Sequence, residues 1–134
     1  MNAEQRLTYV DSSAIVKLAI AEPESPALRR YLTRRQPLVS SALARTEVTR
    51  ALLPAGAQAV VRGQEVLRRI QLVRVNDHVL NDAGQMQPNE LRSPDAIHLA
   101  SARLLGTTVR LIVTYDECMA AAAQQAGWSV AAPE

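Results

Sequence analysis

The chain has 134 residues, which is the usual size of one domain and too short for two sizeable hydrophobic cores. We therefore predict a single domain over residues 1–134. Hydrophobic residues make up 48% of the chain and charged residues 21%, as in soluble globular proteins, so the composition argues against intrinsic disorder. A net charge of +2 permits a nucleic-acid partner but does not require one.

The sequence predicts a cytoplasmic protein with no membrane partner. Its longest apolar stretches, such as residues 14–21 around Lys17, fall well short of the roughly 20 residues that span a bilayer. The first six residues lack the apolar stretch of a signal peptide. A lone Cys118 allows neither an internal disulfide nor a cysteine zinc cluster, which agrees with a reducing compartment, and we expect this thiol to be buried.

Hydrophobic periodicity predicts strands and helices that alternate along the chain. In chain order we predict strand 7–10, helix 12–18, helix 25–35, strand 38–40, helix 41–53, helix 57–70, strand 72–75, helix 77–86, a polar loop 87–92, helix 93–105, strand 111–114, helix 117–127 and an edge strand 128–131. Ser93 is expected to cap its helix, with Pro94 in the first turn. Parallel strands need helical crossovers, so the pattern predicts an α/β fold with a mostly parallel central sheet flanked by helices.

Four acidic residues occupy positions that suit a metal site. Asp11 and Asp116 directly follow the two clearest buried strands, Asp95 opens a helix, and Glu47 lies inside another. In parallel α/β folds, ligands bind outside the carboxyl ends of the strands, where the strand order reverses. If the strands before Asp11 and Asp116 are neighbours, all four acids can meet at that edge.

Such a cluster of acids requires protons or a cation. Two carboxylates about 4 Å apart repel each other by roughly 4 kcal/mol at an effective dielectric of 20. The candidate ligands are all oxygens, which favours Mg²⁺ or Mn²⁺ over zinc. An ion of this kind can activate water for hydrolysis of a phosphodiester bond. The sequence leaves open whether one or two ions bind.

Each acid taken alone also has an ordinary structural explanation. Asp11 and Asp116 could cap helices or form turns, and Asp95 could complement the dipole of its helix. Glu47 could pair with Arg50 along one helix face. Their combination on this predicted topology is what favours a metal site.

Four segments of the sequence resemble the PIN domain, and in particular the VapC toxins of toxin–antitoxin pairs. The segments, which occur in order, are Tyr9-Val10-Asp11-Ser12-Ser13-Ala14, Ser41-Ala42-Leu43 through Glu47-Val48, Pro94-Asp95-Ala96-Ile97-His98-Leu99-Ala100 and Val113-Thr114-Tyr115-Asp116. Each motif is unspecific alone, but four in this order and spacing are specific. The resemblance runs from about Leu7 to the C-terminus.

The resemblance implies a three-layer PIN fold and an Mg²⁺- or Mn²⁺-dependent endoribonuclease that acts as a toxin. It further implies RNA as substrate, a VapB-like antitoxin as partner, and a homodimer. By the same resemblance Asp11, Glu47, Asp95 and Asp116 bind the metal and catalyse the reaction, and the hydroxyls of Ser12 and Thr114 orient those carboxylates. Some relatives carry a further acid about two residues beyond the fourth. Here Glu117 follows Asp116 at once and Cys118 comes next, so the resemblance leaves a second ion open.

Several roles stay open in the sequence. His98 lies one turn beyond Asp95 and could face the site, although its apolar neighbours favour a packed helix residue. The densest basic group is equally consistent with a solvated helix face, contact with an acidic antitoxin segment or RNA binding; it comprises Arg29, Arg30, Arg34 and Arg35.

Two alternative functions compete with the nuclease. One is a catalytically silent PIN-like module that only binds a partner. The other is a phospho-acceptor signalling domain, which would have a second acid after the first strand and a lysine near the last; here Asp11 stands alone and Lys17 is the only lysine.

Overall fold

The computed structural model describes residues 6–134. Residues 1–5 lie outside that range. They belong to the N-terminal stretch in which the sequence predicts no signal peptide. Within it the strands are β1 (Leu7–Val10), β2 (Leu38–Ser41), β3 (Gln71–Val73), β4 (Val109–Val113) and β5 (Val130–Ala131). The α-helices are α1 (Ser12–Ala19), α2 (Ser25–Thr33), α3 (Ala44–Leu52), α4 (Ala57–Arg68), α5 (Asp77–Gly84), α6 (Ser93–Leu104) and α7 (Glu117–Gln125).

The five strands form one sheet in the order β3-β2-β1-β4-β5, and each neighbouring pair is parallel. The chain moves outward from β1 to β2 and β3, and then returns to the other side of β1 to form β4 and β5. The strand order therefore reverses between β1 and β4, where Val10 pairs with Val113. The predicted α/β fold is confirmed. The strands that precede Asp11 and Asp116 are neighbours, which is the condition under which the acids can meet at one edge.

Helices cover both faces of the sheet, which gives the three layers that the sequence predicts. One core lies between α1–α4 and the sheet and includes Val10, Ile15 and Leu52. The other lies beneath α5–α7 and includes Tyr9 and Leu99. Adjacent residues of β1 thus enter opposite cores, as expected for a strand buried on both faces. No helix within residues 6–134 is long and apolar enough to cross a membrane.

Most predicted elements are present, and the differences lie at the ends of strands and helices and on one helix surface. The predicted strands 72–75, 111–114 and 128–131 are Gln71–Val73, Val109–Val113 and Val130–Ala131 in the structure. Ser93 does not cap α6: it is the first helical residue, and the N-cap is Arg92, which makes no capping hydrogen bond with its side chain. Helix α3 starts at Ala44 because Ser41 completes β2. The prediction of a buried Cys118 is wrong. This thiol is exposed because α7 turns its next residue, Met119, toward the core instead.

Helices α3 and α4 approach each other closely at Gly63. A β-carbon added there would lie 2.5 Å from Leu52 Cδ1 and 3.3 Å from Val48 Cγ1. Leu52 and Val48 are fully buried, so neither side chain has open space into which to move. The absent side chain at position 63 therefore sets the distance between the two helices, one of which carries Glu47.

We predict that Gly63→Ala destabilises the protein by about 1–3 kcal/mol, because the added methyl group overpacks the contact between α3 and α4. Urea unfolding monitored by circular dichroism measures the change. Gly84→Ala is the matched control, since a β-carbon at position 84 meets no atom within 4 Å. The control should be neutral or slightly stabilising because Ala is the better helix former. Equal stability of both variants would contradict the close approach.

Candidate active site

Asp11 is buried at the carboxyl end of β1 and is held from both central strands. Its Oδ1 accepts hydrogen bonds from Ser13 Oγ at 2.6 Å and from the Ala14 amide at 3.2 Å. Its Oδ2 accepts one from Thr114 Oγ1, just past β4, at 2.6 Å. Burial raises the pKa of Asp11 above its ordinary value, and the hydrogen bonds from Ser13 and Thr114 only partly oppose that effect. The carboxyl group is thus firmly oriented, but its negative charge is unfavourable.

Asp95 and Asp116 face one cation, the guanidinium group of Arg92. Asp116 caps α7 through a 2.9 Å bond from the Met119 amide to Oδ1, and its Oδ2 lies 3.3 Å from Arg92 Nη2. The Oδ2 of Asp95 is buried, lies 3.7 Å from Arg92 Nε, and accepts no hydrogen bond from any residue in 6–134. Burial, followed by the negative charge of Asp116, raises the pKa of Asp95. Arg92 offsets only part of this repulsion.

Glu47 reaches the same region from α3 and is held through one oxygen. Its Oε1 accepts a 2.7 Å hydrogen bond from Ser12 Oγ and lies 2.7 Å from His98 Nε2. Burial would raise the pKa of Glu47, but the hydrogen bonds from His98 and Ser12, with the positive charge of Arg92, hold it below its ordinary value. This carboxylate is therefore ionised at neutral pH.

The ends of β1 and β4 are bound together by two hydroxyl groups. Thr114 Oγ1 donates to Asp11 and accepts from the Asp116 amide at 3.1 Å. Ser13 Oγ donates to Asp11 and accepts from the Tyr115 amide at 3.0 Å. Because each hydroxyl contacts both strand ends, the backbone around the candidate site is fixed without help from a ligand.

These contacts bring the predicted residues to one edge of the sheet. Thr114 connects Asp11 to the backbone of Asp116, Arg92 connects Asp116 to Asp95, and Ser12, next to Asp11, contacts Glu47. In the described part of the chain, no three acid, histidine or cysteine side chains are already close enough together to hold a metal ion. Arg92 instead lies beside two of the acids.

The ordinary structural explanations hold for some acids and fail for others. Asp11 and Asp116 do cap helices, as their positions allowed. Glu47 does not pair with Arg50; its partners are Ser12 and His98. The four arginines at and after α2 make no ion pair or hydrogen bond with the four acids among the contacts of residues 6–134, and their role stays open.

Two residues of this edge were missed or underestimated in the sequence. His98 is packed in α6, with 2% exposure, but it also contacts Glu47. Its spacing of three residues from Asp95 places both on the same face of the helix, which is a usable signal. Arg92 was considered only as the end of a polar loop, although it too lies three residues from Asp95.

Comparison with known proteins agrees with this fold. The PIN domain family matches residues 8–125. Ribonuclease VapC46 of Mycobacterium tuberculosis is 55% identical over 125 residues, which cover 93% of this chain and 96% of that protein. Ribonuclease VapC35 of the same species is 36% identical over 132 residues, with coverage of 95% and 97%.

Two solved structures share the fold. Mycobacterium tuberculosis VapC20, described as a toxin that cleaves the sarcin–ricin loop, has a TM-score of 0.75 at 19% identity and covers 94% of this chain and 99% of its own. A chain of a toxin–antitoxin complex from Klebsiella pneumoniae has a TM-score of 0.72 at 19% identity, covering 95% and 98%.

A parallel sheet with acids at its point of reversal, together with a match over most of the chain, defines the class of protein: the chain belongs to the PIN-domain family. Its relatives over nearly the full length are VapC ribonucleases, which confirms the predicted VapC type.

We predict that Asp95→Asn stabilises the metal-free protein at neutral pH. Because folding raises the pKa of Asp95, the folded state binds the proton more tightly than the unfolded state does. Below about pH 4 the carboxyl group of Asp95 is therefore protonated and does not lower the free energy of unfolding. It lowers that free energy as the pH rises through its raised pKa. The stability advantage of the variant should grow from pH 4 to pH 7, as measured by urea unfolding in chelator.

Asp77→Asn is the matched control, since Asp77 is an exposed acid in the first turn of α5. Losing its interaction with the helix dipole should lower stability by a few tenths of a kcal/mol. An Asp95→Asn variant that is less stable than the parent at pH 7, or an advantage that is independent of pH, would contradict the prediction.

Proposed function

We propose that the chain is an endoribonuclease that requires Mg²⁺ or Mn²⁺ and acts as the toxin of a toxin–antitoxin pair. The ion would be held by Asp11, Asp95 and Asp116, with Glu47 as a further ligand, directly or through water. The observation that carries this proposal is the buried Oδ2 of Asp95, which accepts no hydrogen bond and adjoins further negative charge. An unpartnered buried carboxylate oxygen is unfavourable, and a divalent cation would satisfy it.

The donor set fits a hard divalent cation. Its four side chains offer carboxylate oxygens, which suit magnesium and manganese and not a structural zinc. The carboxylates of Asp95 and Asp116 face a partly compensating cation, Arg92, whose side chain is 72% exposed and can leave without disturbing the core. A bound ion would supply an activated water and neutralise charge on the phosphoryl oxygens.

The other residues of the site orient the carboxylates. Ser13 and Thr114 fix both oxygens of Asp11. Ser12 and His98 both contact Oε1 of Glu47, whereas no residue within 6–134 donates to its Oε2. The free oxygen is the one available to an ion or its water. Ser12 and Thr114 thus have the contacts that an orienting role requires.

The names of the relatives support RNA as substrate and an antitoxin as partner. VapC46 and VapC35 are ribonucleases by name, and the Klebsiella structure is a toxin–antitoxin complex. For this chain we propose RNA hydrolysis, inhibition by a VapB-like antitoxin, and assembly as a homodimer. Its cytoplasmic location stays a prediction.

The two alternatives differ from the nuclease in different features: the silent module in metal binding, and the phospho-acceptor domain in a lysine beside the acids. A silent PIN-like module would bind its partner without binding a divalent ion. A phospho-acceptor domain would need a lysine at the acids, but Lys17 is paired with Glu22 at 3.2 Å and Glu24 at 2.8 Å. The contacts of Lys17 therefore give that reading no support.

We predict that the purified protein cleaves RNA in Mg²⁺ or Mn²⁺ and that Asp95→Asn reduces the rate by at least about 100-fold, because ion-dependent stabilisation of the transition state amounts to several kcal/mol. Total cellular RNA, and a DNA oligonucleotide as a negative substrate, are incubated with each protein and separated on denaturing gels. Chelator should stop cleavage, and excess Mg²⁺ should restore it.

Glu65→Gln is the control for this assay, since it removes an exposed acid from α4 with the same change in charge. Its rate should match that of the parent. Cleavage that persists in chelator and in Asp95→Asn would overturn the proposal. Absence of both cleavage and Mn²⁺ binding in calorimetry would favour the silent module.

We further predict that Arg92→Gln tightens Mn²⁺ binding by about 1.4–5-fold, because a competing exposed ion pair worth about 0.2–1 kcal/mol is removed. Isothermal titration calorimetry at low ionic strength gives the dissociation constants. Arg50→Gln is the matched control, being an exposed arginine of α3 that makes no ion pair or hydrogen bond with the acids within residues 6–134. Weaker Mn²⁺ binding in Arg92→Gln would show that Arg92 organises the acids and does not compete for them.

A further inference from the structure

His98 connects the hydrophobic core to Glu47. The ring is 2% exposed, and both of its nitrogens have partners. Nε2 lies 2.7 Å from Oε1 of Glu47, and Nδ1 lies 2.7 Å from the hydroxyl of Tyr9. Tyr9 is fully buried in β1, and its ring meets the imidazole edge-on, with centroids 5.9 Å apart and an interplanar angle of 83°.

For a neutral imidazole, the chemistry of the two ends fixes the direction of these hydrogen bonds. A carboxylate only accepts, so the proton of a neutral imidazole must be on Nε2 to satisfy Glu47. Nδ1 is then an acceptor, and the phenol of Tyr9 donates to it. The hydrogen bonds therefore run in one direction, from Tyr9 through His98 to Glu47.

We propose that His98 is a positioning residue, which holds Glu47 in the orientation that metal binding requires, while Tyr9 fixes the tautomer and the plane of the ring. This inference rests on the proposed metal-dependent function. Ser12 Oγ donates to the same Oε1 and lies 3.3 Å from His98 Nε2, so both donors meet at one oxygen. The flexible glutamate side chain is thereby held with Oε2 free.

A direct role for His98 as a metal ligand does not fit its contacts. A neutral ring offers a single lone pair, and here that lone pair accepts from Tyr9. His98 also differs from an inert core residue, since its Nε2 partner is a half-buried acid at the edge of the sheet. Its effect on the site must therefore pass through Glu47.

The test is a double-mutant cycle on Mn²⁺ affinity, measured by calorimetry on the full chain. His98→Phe retains an aromatic ring but removes the donor, and we expect the dissociation constant to rise about 10–100-fold. His98→Gln places an amide donor near the position of Nε2 and should recover most of the affinity. In a Glu47→Gln background, His98→Phe should change the constant less than 2-fold, because the residue through which it acts is already altered.

The outcomes separate the two proposals. If the parent protein binds no Mn²⁺, the proposed function fails. If the parent binds Mn²⁺, two results would leave the metal site standing but show that the positioning role is wrong. One is that the effects of His98→Phe and Glu47→Gln on Mn²⁺ affinity are additive. The other is that His98→Gln binds Mn²⁺ as weakly as His98→Phe does.

Tyr9→Phe provides a test that does not depend on the folding of His98→Phe. It removes only the hydroxyl, and we expect a several-fold loss of Mn²⁺ affinity. Imidazole ¹⁵N NMR in a His78→Gln background, which leaves His98 as the only histidine, reads the tautomer directly. We expect the Nε2–H form in the parent and a mixture in Tyr9→Phe. A proton on Nδ1 in the parent, alone or together with Nε2, would overturn the proposal.

Discussion

The parallel pairing of β1 with β4 is the constraint on which the site depends. It places the residues after Val10 and Val113 at neighbouring strand ends, and the hydroxyls of Ser13 and Thr114 then bind these ends to each other. Helices α3 and α6 add one acid each to the same edge. Since the sheet is buried on both faces, hydrophobic packing supports the frame that holds the acids, and Asp11 adds to it by accepting hydrogen bonds from both hydroxyls.

The ionised forms of Asp11 and Asp95 oppose folding. Burial raises the pKa of Asp11 and Asp95, so the ionised form of both carboxyl groups is less stable in the folded chain than in water. Glu47 shows the opposite behaviour because His98 and Ser12 outweigh its burial. Within one small site, two carboxylates thus lack sufficient partners while a third has strong ones. Unequal environments of this kind are typical of functional sites.

Much of the fold could be predicted from the sequence because its signals are local. The apolar run before Asp11, the Ser-Pro start of α2 and the Ser-Pro-Asp start of α6 each specify an element through neighbouring residues. The predicted positions of helix ends were less accurate. Ser93 is an example, because a residue with a capping side chain can still adopt helical dihedral angles. Cys118 was misplaced because residue type alone does not tell which side of α7 faces the core.

The sequence was sufficient to select the acids of the candidate site, but not to predict which residues contact them. Strand ends and motif order identified Asp11, Glu47, Asp95 and Asp116. The partners of these acids depend on residues far away in sequence: Glu47 contacts His98, 51 positions on, and Asp116 contacts Arg92, 24 positions back. Neither contact follows from local periodicity, because each requires the packing of α6 against the sheet. The distance between α3 and α4 at Gly63 likewise does not follow from local periodicity.

Asp11 and Asp116 each do two things with one carboxyl group, since each caps a helix with Oδ1 and presents charge at the edge of the sheet. Asparagine is as good an N-cap as aspartate. A single nucleotide change converts an aspartate codon into an asparagine codon. A gene of this kind is therefore one point mutation away from encoding a chain that keeps both helix starts and its outer surfaces but lacks a full set of carboxylates.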